Sequence, residues 1–285
     1  MCGLFAGVGK LGGNRIIALG SQNEDRGTDS VGIAYVDSGK INVAKIAERP
    51  CVGLNVSLRA EVTKAAISGM FIGHTRFATQ GAVTSENAHP FLMDGIVFAH
   101  NGIIGNDEKF GKFEVDSQSL IFGIKKKDFS AYEGPIALVW IENGKLHAYK
   151  YGNPLFRGRH GAAVYLASER EHLEAVGCKE IKELKEGMIY TFHDERRITT
   201  KAVPTNKLYT GASAAKTRWD SQAWDYSNTG VGVKQEESFN TWKDDRELGK
   251  HCLMCADEIP CGTYCQDCGE WESEILGKDM PVFSK

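Results

Sequence analysis

Seven short apolar runs recur between residues 4 and 192, and each has the length of a β-strand. They are rich in Val, Ile and Phe and are bounded by Gly, Asn, Asp or Pro, as expected of strands separated by turns. Three segments favour helices without alternating strictly with the strands, which indicates an α+β layered fold rather than a doubly wound one. The predicted strands are 4–8, 30–36, 70–74, 95–99, 136–141, 163–167 and 188–192, and the predicted helices are 57–68, 116–124 and 169–176, the last with Ser168 as its N-cap.

The composition divides the chain into three predicted parts. Residues 2–205 contain all of these runs and form one expected domain. Residues 206–248 are rich in Ser, Thr, Asn, Asp and Gly and have no sustained period, as in a linker. Residues 249–285 carry most of the cysteines. Disordered segments tend to lack aromatic residues, so the aromatic side chains of the linker indicate docking to the first domain or to a partner. They are Trp219, Trp224, Tyr226 and Trp242.

The bulk properties exclude several classes of protein. A formal net charge of −3 over 285 residues gives no overall attraction to nucleic acid or to a membrane surface. No run approaches about 18 consecutive apolar residues, so no membrane-spanning helix is predicted. The sequence GGNR at residues 12–15 interrupts the apolar start that a signal peptide would need. We therefore expect a cytoplasmic protein that binds neither a membrane nor nucleic acid.

The chain begins Met-Cys-Gly, which places the thiol of Cys2 next to the chain start. Removal of Met1 would give Cys2 a free α-amino group, whose ordinary pKa of about 7.7–8.0 leaves part of it unprotonated near neutral pH. That amine could serve as the general base for its own thiol. On position alone, a buried apolar cysteine on the first strand is the simpler interpretation.

Three further stretches carry polar residues directly after apolar runs: GHTRFATQG, ENAHPF and FAHNGIIGN. The guanidinium of Arg76 suits bidentate capture of a carboxylate. Asn101 and Gly102 offer a side-chain amide and a backbone N–H that can form an oxyanion hole. Each has a simpler alternative when taken alone, a surface ion pair for Arg76 and a hairpin turn for Asn101-Gly102. The histidines of these stretches are more typical of structural residues than of catalysts; they are His74, His89 and His100.

Together with Cys2, these stretches resemble the class II glutamine amidotransferases, a branch of the N-terminal-nucleophile hydrolases. The likeness is strongest to the glutaminase domain of glucosamine-phosphate synthase. RGTDSVGIAYVD, VDSQSL, GNPLFRG and YLASEREHL are similar to further segments of that family, so the resemblance covers about residues 2–203. It implies a four-layer αββα sandwich, which would be followed in this chain by a small C-terminal zinc knuckle.

The resemblance implies a role for each matching residue. Cys2 would be the nucleophile and its own amino group the base, while Asn101 and Gly102 would hold the oxyanion. Arg76 would bind the α-carboxylate of glutamine, and Asp116 would bind its α-amino group. The other implied residues are Arg26 and Gly27, which would position the chain start, and Phe77, Thr79 and Gln80, which would line the glutamine pocket.

Two positions depart from the family pattern, which often has Trp and His where this chain has Phe77 and Gln80. Phe77 keeps an aromatic side chain where the family often has Trp. Gln80 removes a titratable group, which bears on lid closure and on coupling to a partner more than on cleavage of glutamine. The stretch before Asp116 is also shorter than in the synthase, so its assignment depends on the sequence DS and the apolar residues after it.

Five of the eight cysteines cluster near the end of the chain. Cys252 and Cys255, like Cys265 and Cys268, have the CxxC spacing of zinc knuckles, because tetrahedral Zn²⁺ favours four thiolates. Cys261 is a fifth thiol that leaves the choice of ligands open. We expect a structural zinc ion, since so small a segment cannot hold a core without a metal; the alternative is a set of reduced thiols.

The sequence therefore predicts a glutaminase subunit that hydrolyses L-glutamine to glutamate and ammonia through a thioester on Cys2. No remaining segment fits a synthase domain, so we expect a separate synthase protein to accept the ammonia. Two alternatives stay open: an N-terminal-nucleophile amidase that acts on another small amide, and a non-catalytic structural or binding module that retains the fold. The intact set of polar residues described above argues against the second.

Overall fold

The computed structural model describes residues 2–78 and 81–208, together with the backbone of two short strands near the end of the chain. The strands are β1 (Gly3–Gly9), β2 (Ser30–Asp37), β3 (Lys40–Ile46), β4 (Met70–Arg76), β5 (Phe91–Met93), β6 (Ile96–Gly102), β7 (Ile136–Glu142), β8 (Lys145–Tyr151), β9 (Phe156–His160), β10 (Ala163–Ala167), β11 (Lys179–Glu183), β12 (Met188–Phe192), β13 (Ile198–Ala202), β14 (Tyr264–Cys265) and β15 (Val282–Phe283). The helices are α1 (Gly13–Gln22), α2 (Pro50–Val52), α3 (Arg59–Ser68), α4 (Leu120–Lys126) and α5 (Arg170–Ala175).

Two antiparallel sheets form the body of the described chain. The first has seven strands in the order β11-β9-β10-β1-β4-β2-β3, and the second has six in the order β13-β12-β8-β7-β6-β5. β1 lies at the centre of the first sheet, between β10 and β4. Separately, β14 and β15 pair in parallel.

Successive side chains of β1 point to opposite faces of the first sheet, and their burial shows how the layers are arranged. Leu4, Ala6 and Val8 are buried in the core between the two sheets, where they meet apolar side chains of β6 and β7. Phe5, which points the other way, is buried against the helices on the outer face of the first sheet. The same strand therefore contributes to two cores.

The outer layers complete a four-layer αββα sandwich. Apolar side chains of α1, α3 and α5 cover the first sheet, and those of α4 cover the second sheet around Trp140, which is fully buried. The predicted α+β sandwich is confirmed. The outer-layer residues that carry this packing include Ile16, Ile17, Leu19, Val62, Ala65 and Leu173 on the first sheet and Leu120, Ile121 and Ile124 on the second.

All seven predicted strands and all three predicted helices are present. Six of the thirteen strands in the two large sheets were not predicted, and neither were α1 and α2. α1 contains Gly13, Asn14 and Gly20, which are poor helix formers, but burial of its apolar face stabilises it. β11, with the sequence KEIKE, is an exposed edge strand without an apolar face. Periodicity cannot detect elements of either kind.

The prediction that Ser168 caps the last helix is wrong. Glu169, with an extended backbone (φ −119°, ψ 147°), occupies the N-cap position of α5. The Ser168 hydroxyl instead accepts the backbone N–H of Leu4 at 2.9 Å, because β1 runs beside the end of β10.

The predicted boundaries at residues 205 and 248 stay predictions. Asn206 is buried and its side chain accepts the Tyr149 hydroxyl proton at 2.8 Å, so the packed body reaches at least this residue. Residues 209–263, which hold most of the predicted linker, lie outside the described part of the chain. Within the described part, none of the helices combines the length and apolar character needed to cross a bilayer.

Three buried histidines connect the sheets. His74 on β4 contacts the carbonyl oxygen of His100 on β6 through Nε2 at 3.0 Å, and the rings of His74 and His89 are 4.2 Å apart. Burial lowers the pKa of His74 to about 3 and that of His100 to about 4. It lowers the pKa of His89 well below its ordinary value. All three rings are therefore neutral near pH 7.

These histidines predict a loss of stability in mild acid. Their pKa values are lower in the folded state than in the unfolded state, so below about pH 6.5 the unfolded chain binds more protons. Each ring can lower the free energy of unfolding by up to about 1.4 kcal/mol per pH unit until the pH reaches its folded pKa. Urea titrations at pH 7, 6 and 5 would measure this slope.

The variant His89→Leu isolates the contribution of one ring, since neither ring nitrogen of His89 has a hydrogen-bond partner among the described residues. We expect the free energy of unfolding of this variant to depend less steeply on pH than that of the wild type. Identical slopes for the two proteins would contradict the assignment.

Candidate active site

The register of the first sheet places the thiol of Cys2. Gly3 on β1 is paired with Thr75 on β4, so the residue before Gly3 lies beside the residues that follow Thr75. The Phe77 N–H donates to Cys2 Sγ at 3.3 Å, and the Sγ lies 3.4 Å from the Phe77 carbonyl oxygen. Burial raises the pKa of the Cys2 thiol, and the Phe77 hydrogen bond and the Arg76 charge oppose this shift only in part. The thiol is therefore protonated near pH 7 and needs a base before it can attack.

Arg26 and Gly27 hold the backbone around Cys2, in addition to the contacts with Phe77. Arg26 is 9% exposed, and its Nε donates to the Cys2 carbonyl oxygen at 2.8 Å. Its guanidinium also forms an ion pair with Glu169, at the start of α5. Gly27 approaches the next strand so closely that a methyl group there would lie 2.6 Å from the Arg76 carbonyl carbon and 2.8 Å from the Phe77 nitrogen. Only glycine fits between these segments.

Arg76 lies at the end of β4 and is 3% exposed. Its Nη1 donates to the carbonyl oxygen of Ala82 at 3.0 Å, which ties the guanidinium to the following loop. Burial lowers the pKa of Arg76, opposed by the neighbouring Cys2, Asp29 and Asp116, and an arginine remains cationic. Asp29 fixes the loop itself, since its Oδ2 accepts the Ala78 N–H at 2.7 Å.

Asp116 begins the turn Asp116–Ser119 that precedes α4 and is 5% exposed. Its Oδ2 accepts the Ile104 N–H at 2.7 Å, and its Oδ1 lies 3.4 Å from the Ser117 hydroxyl. Burial raises the pKa of Asp116, whereas these hydrogen bonds and the positive charge of Arg76 lower it. The site therefore holds two buried groups of opposite charge near one thiol, as binding of an amino-acid zwitterion requires.

Asn101 and Gly102 end β6. The Asn101 Nδ2 donates to the Ser168 hydroxyl at 3.4 Å, and the Asn101 carbonyl oxygen accepts from the Asn153 Nδ2 at 2.9 Å. Gly102 has φ +150°, and a methyl group there would lie 2.0 Å from the Pro135 carbonyl oxygen. An amide carries two N–H donors, so the contact with Ser168 leaves one of them for a ligand.

The structure thus places several of the predicted site residues in direct contact with each other, or joined through one intervening residue. Cys2 touches Phe77 and Arg26, Gly27 packs on the peptide between Arg76 and Phe77, and Arg76 is coupled by charge to Asp116. Asn101 is connected to β1 through Ser168, which also binds Leu4. Ser168, Glu169 and Asp29 were not predicted as site residues. They lie in the stretches YLASEREHL and RGTDSVGIAYVD, for which the sequence indicated no role in the site.

Some predicted residues lie outside the described part of the chain. Thr79 and Gln80 fall between the two described ranges. Within those ranges, no three His, Cys, Asp or Glu side chains group as metal ligands. The side chains of the predicted zinc ligands are likewise not described; these are Cys252, Cys255, Cys261, Cys265 and Cys268.

Comparison with known proteins points to one family. Residues 10–115 match the class II glutamine amidotransferases. The isomerizing glutamine–fructose-6-phosphate aminotransferase of Buchnera aphidicola is 31% identical over 200 residues, which are 60% of this chain and 32% of the relative. The enzyme of the same name from Clostridium acetobutylicum is 42% identical over 110 residues, 37% of this chain and 17% of the relative. The chain therefore spans a third or less of the length of these relatives.

Solved structures share the fold. The glutamine phosphoribosylpyrophosphate amidotransferase of B. subtilis superimposes with a TM-score of 0.58 at 22% identity, over 70% of this chain and 49% of that protein. A structure described as the allosteric regulatory enzyme of purine biosynthesis gives a TM-score of 0.61, also at 22% identity, over 72% of this chain and 50% of that chain. At this identity the likeness concerns the fold alone.

The contact at Gly27 predicts a specific defect. In Gly27→Ala, the added methyl would push the peptide between Arg76 and Phe77 away from Cys2, and overpacking of this kind costs about 1–3 kcal/mol. We expect a lower melting temperature and slower alkylation of Cys2. Gly13→Ala is the matched control, because its methyl would meet only the Ala66 side chain at 4.0 Å. Equal behaviour of the two variants would contradict the close approach at Gly27.

Proposed function

We propose that this chain is a class II glutamine amidotransferase, the family that residues 10–115 match, and that it hydrolyses the side-chain amide of L-glutamine with Cys2 as the nucleophile. The observation that carries this proposal is the position of the Cys2 thiol, which is bound by the Phe77 N–H and lies beside the buried charges of Arg76 and Asp116. A glutamine whose ends meet those two charges would present its side-chain amide to the thiol.

The chemistry begins with removal of Met1, which gives Cys2 a free amino group. As Sγ bonds to the amide carbon, this amine accepts the thiol proton, as the raised pKa of the thiol requires. The negative charge that develops on the amide oxygen would be held by the Asn101 Nδ2 and the Gly102 N–H. The C–N bond then breaks, and the leaving ammonia takes the proton from the amine.

A thioester of glutamate with Cys2 remains. Water attacks its carbonyl carbon, and the same amine accepts the proton of the water as the C–O bond forms. The C–S bond breaks, the sulfur takes the proton back from the amine, and glutamate leaves. Atoms and charges balance over the cycle: glutamine and water give glutamate and ammonia.

Selectivity for a free amino acid would come from Arg76 and Asp116. Arg76 donates through Nη1 to the Ala82 carbonyl oxygen at 3.0 Å and through Nη2 to the Gly81 carbonyl oxygen at 3.5 Å. Its planar guanidinium would bind the α-carboxylate of the ligand as a charged, bidentate partner. The Asp116 carboxylate would accept the α-ammonium group through Oδ1, whose contact with the Ser117 hydroxyl is long at 3.4 Å, whereas Oδ2 accepts the Ile104 N–H at 2.7 Å. A peptide or an amide without both charges would bring no counter-charge to one of these two buried groups, which is costly.

The ammonia would pass to a synthase, as the names of the aminotransferase relatives suggest. That this synthase is a separate protein stays a prediction. We also propose a structural zinc ion held by four of Cys252, Cys255, Cys261, Cys265 and Cys268, which rests on the CxxC spacing alone.

Loss of the thiol should abolish glutamate release. Cys2→Ala removes the nucleophile, and we expect no glutamate above background in a coupled assay with glutamine. Cys178→Ala is the matched control, because Cys178 is also a free thiol, and burial raises its pKa to about 11. Wild-type turnover of another small amide but not of glutamine would favour the alternative amidase, and glutamine turnover by Cys2→Ala would refute the proposal.

Asp116→Asn should separate binding from stability. Burial raises the pKa of Asp116 in the folded state, so the ionised carboxylate is a penalty to folding at pH values above that pKa. A neutral amide removes the penalty, and we expect a higher free energy of unfolding at pH 7. Loss of a buried charge partner costs about 2–5 kcal/mol, so KM for glutamine should rise by at least about tenfold. An unchanged KM would exclude Asp116 from the ammonium site.

A further inference from the structure

Ser168 connects the two halves of the site. It follows β10 directly, is fully buried, and its hydroxyl accepts the Leu4 N–H at 2.9 Å. The same oxygen accepts the Asn101 Nδ2 at 3.4 Å. Leu4 is two residues from Cys2, and Asn101 is the side chain assigned to the oxyanion. One oxygen atom therefore joins the strand of the nucleophile in the first sheet to the end of β6 in the second.

We propose that Ser168 is a positioning residue that orients the Asn101 amide toward the oxyanion, an inference that rests on the proposed function. With one Nδ2 proton on Ser168, the plane of the amide is fixed and its other N–H remains available for the substrate. The backbone of Asn101 is held independently by Asn153. Ser168 therefore orients the Asn101 side chain, whereas the backbone of β6 at Asn101 is held by Asn153.

The geometry separates this role from an ordinary helix cap. Ser168 precedes Glu169, which occupies the N-cap position of α5, and the side chain of Ser168 is directed to β1 and β6 instead. A hydrogen-bond donor to an oxyanion stabilises the transition state more than the bound substrate. Misorientation of Asn101 should therefore lower kcat and leave KM nearly unchanged.

The first test is Ser168→Ala in the full chain. We expect kcat for glutamine to fall about 10-fold, less than the ~10²- to 10³-fold typical of removing a whole oxyanion donor, while KM changes by less than about twofold. Tyr165→Phe on β10 is the matched control, because it also removes a buried hydroxyl that accepts a backbone N–H, that of Gly12 at 3.3 Å. It should lower the melting temperature and leave kcat unchanged.

A double-mutant cycle with Asn101→Ala decides whether Ser168 acts through Asn101. In the Asn101→Ala background, Ser168→Ala should cause no further loss of kcat. An equal loss in both backgrounds, an effect on KM alone, or no effect in a folded Ser168→Ala variant would overturn the inference. If the wild type releases no glutamate, the proposed function fails and this inference fails with it; an active wild type confines any failure to Ser168.

Discussion

The antiparallel pairing of β1 with β4 is the contact on which the site depends. It fixes Gly3 opposite Thr75, and this register carries Cys2 to the Phe77 N–H and to the end of the strand that bears Arg76. A shift of one residue would send the side chains of β1 to the opposite face, with Leu4 against the helices and Phe5 between the sheets. The core that stabilises the sandwich and the geometry of the thiol are thus set by the same hydrogen bonds.

The charges of the site are buried, and this burial has opposite consequences for its groups. It raises the pKa values of Cys2 and Asp116 and lowers that of Arg76, so each group is held in an environment that disfavours its ionised form. A ligand that brings the complementary charges relieves these penalties for Arg76 and Asp116. The thiol gains no such partner, and under the proposed function it depends on the amino group of its own residue. Such strain at a binding site is a common reason why function lowers stability.

The sequence allowed much of the fold to be predicted because the central strands are continuous apolar runs of the right length. Edge strands such as β11, and α1 with its glycines, could not be predicted, since their stability comes from tertiary packing rather than from local pattern. The site residues were identified by resemblance to a family, because each of them has a simpler alternative when its local pattern is taken alone. Ser168 shows the limit: a serine before a helical pattern predicts an N-cap, and only the pairing of β10 with β1 shows that its hydroxyl is used elsewhere.

Acid-quenched mass spectrometry of the full chain during turnover with glutamine tests the chemistry most directly. A chain that uses its own amino group as the base must have lost Met1, and its glutamyl group must be bound through a thioester to Cys2. Peptide mapping should then find a single glutamyl adduct, on an N-terminal Cys2. A chain that hydrolyses glutamine while Met1 is still attached, or that carries the glutamyl group on any other residue, would contradict this mechanism.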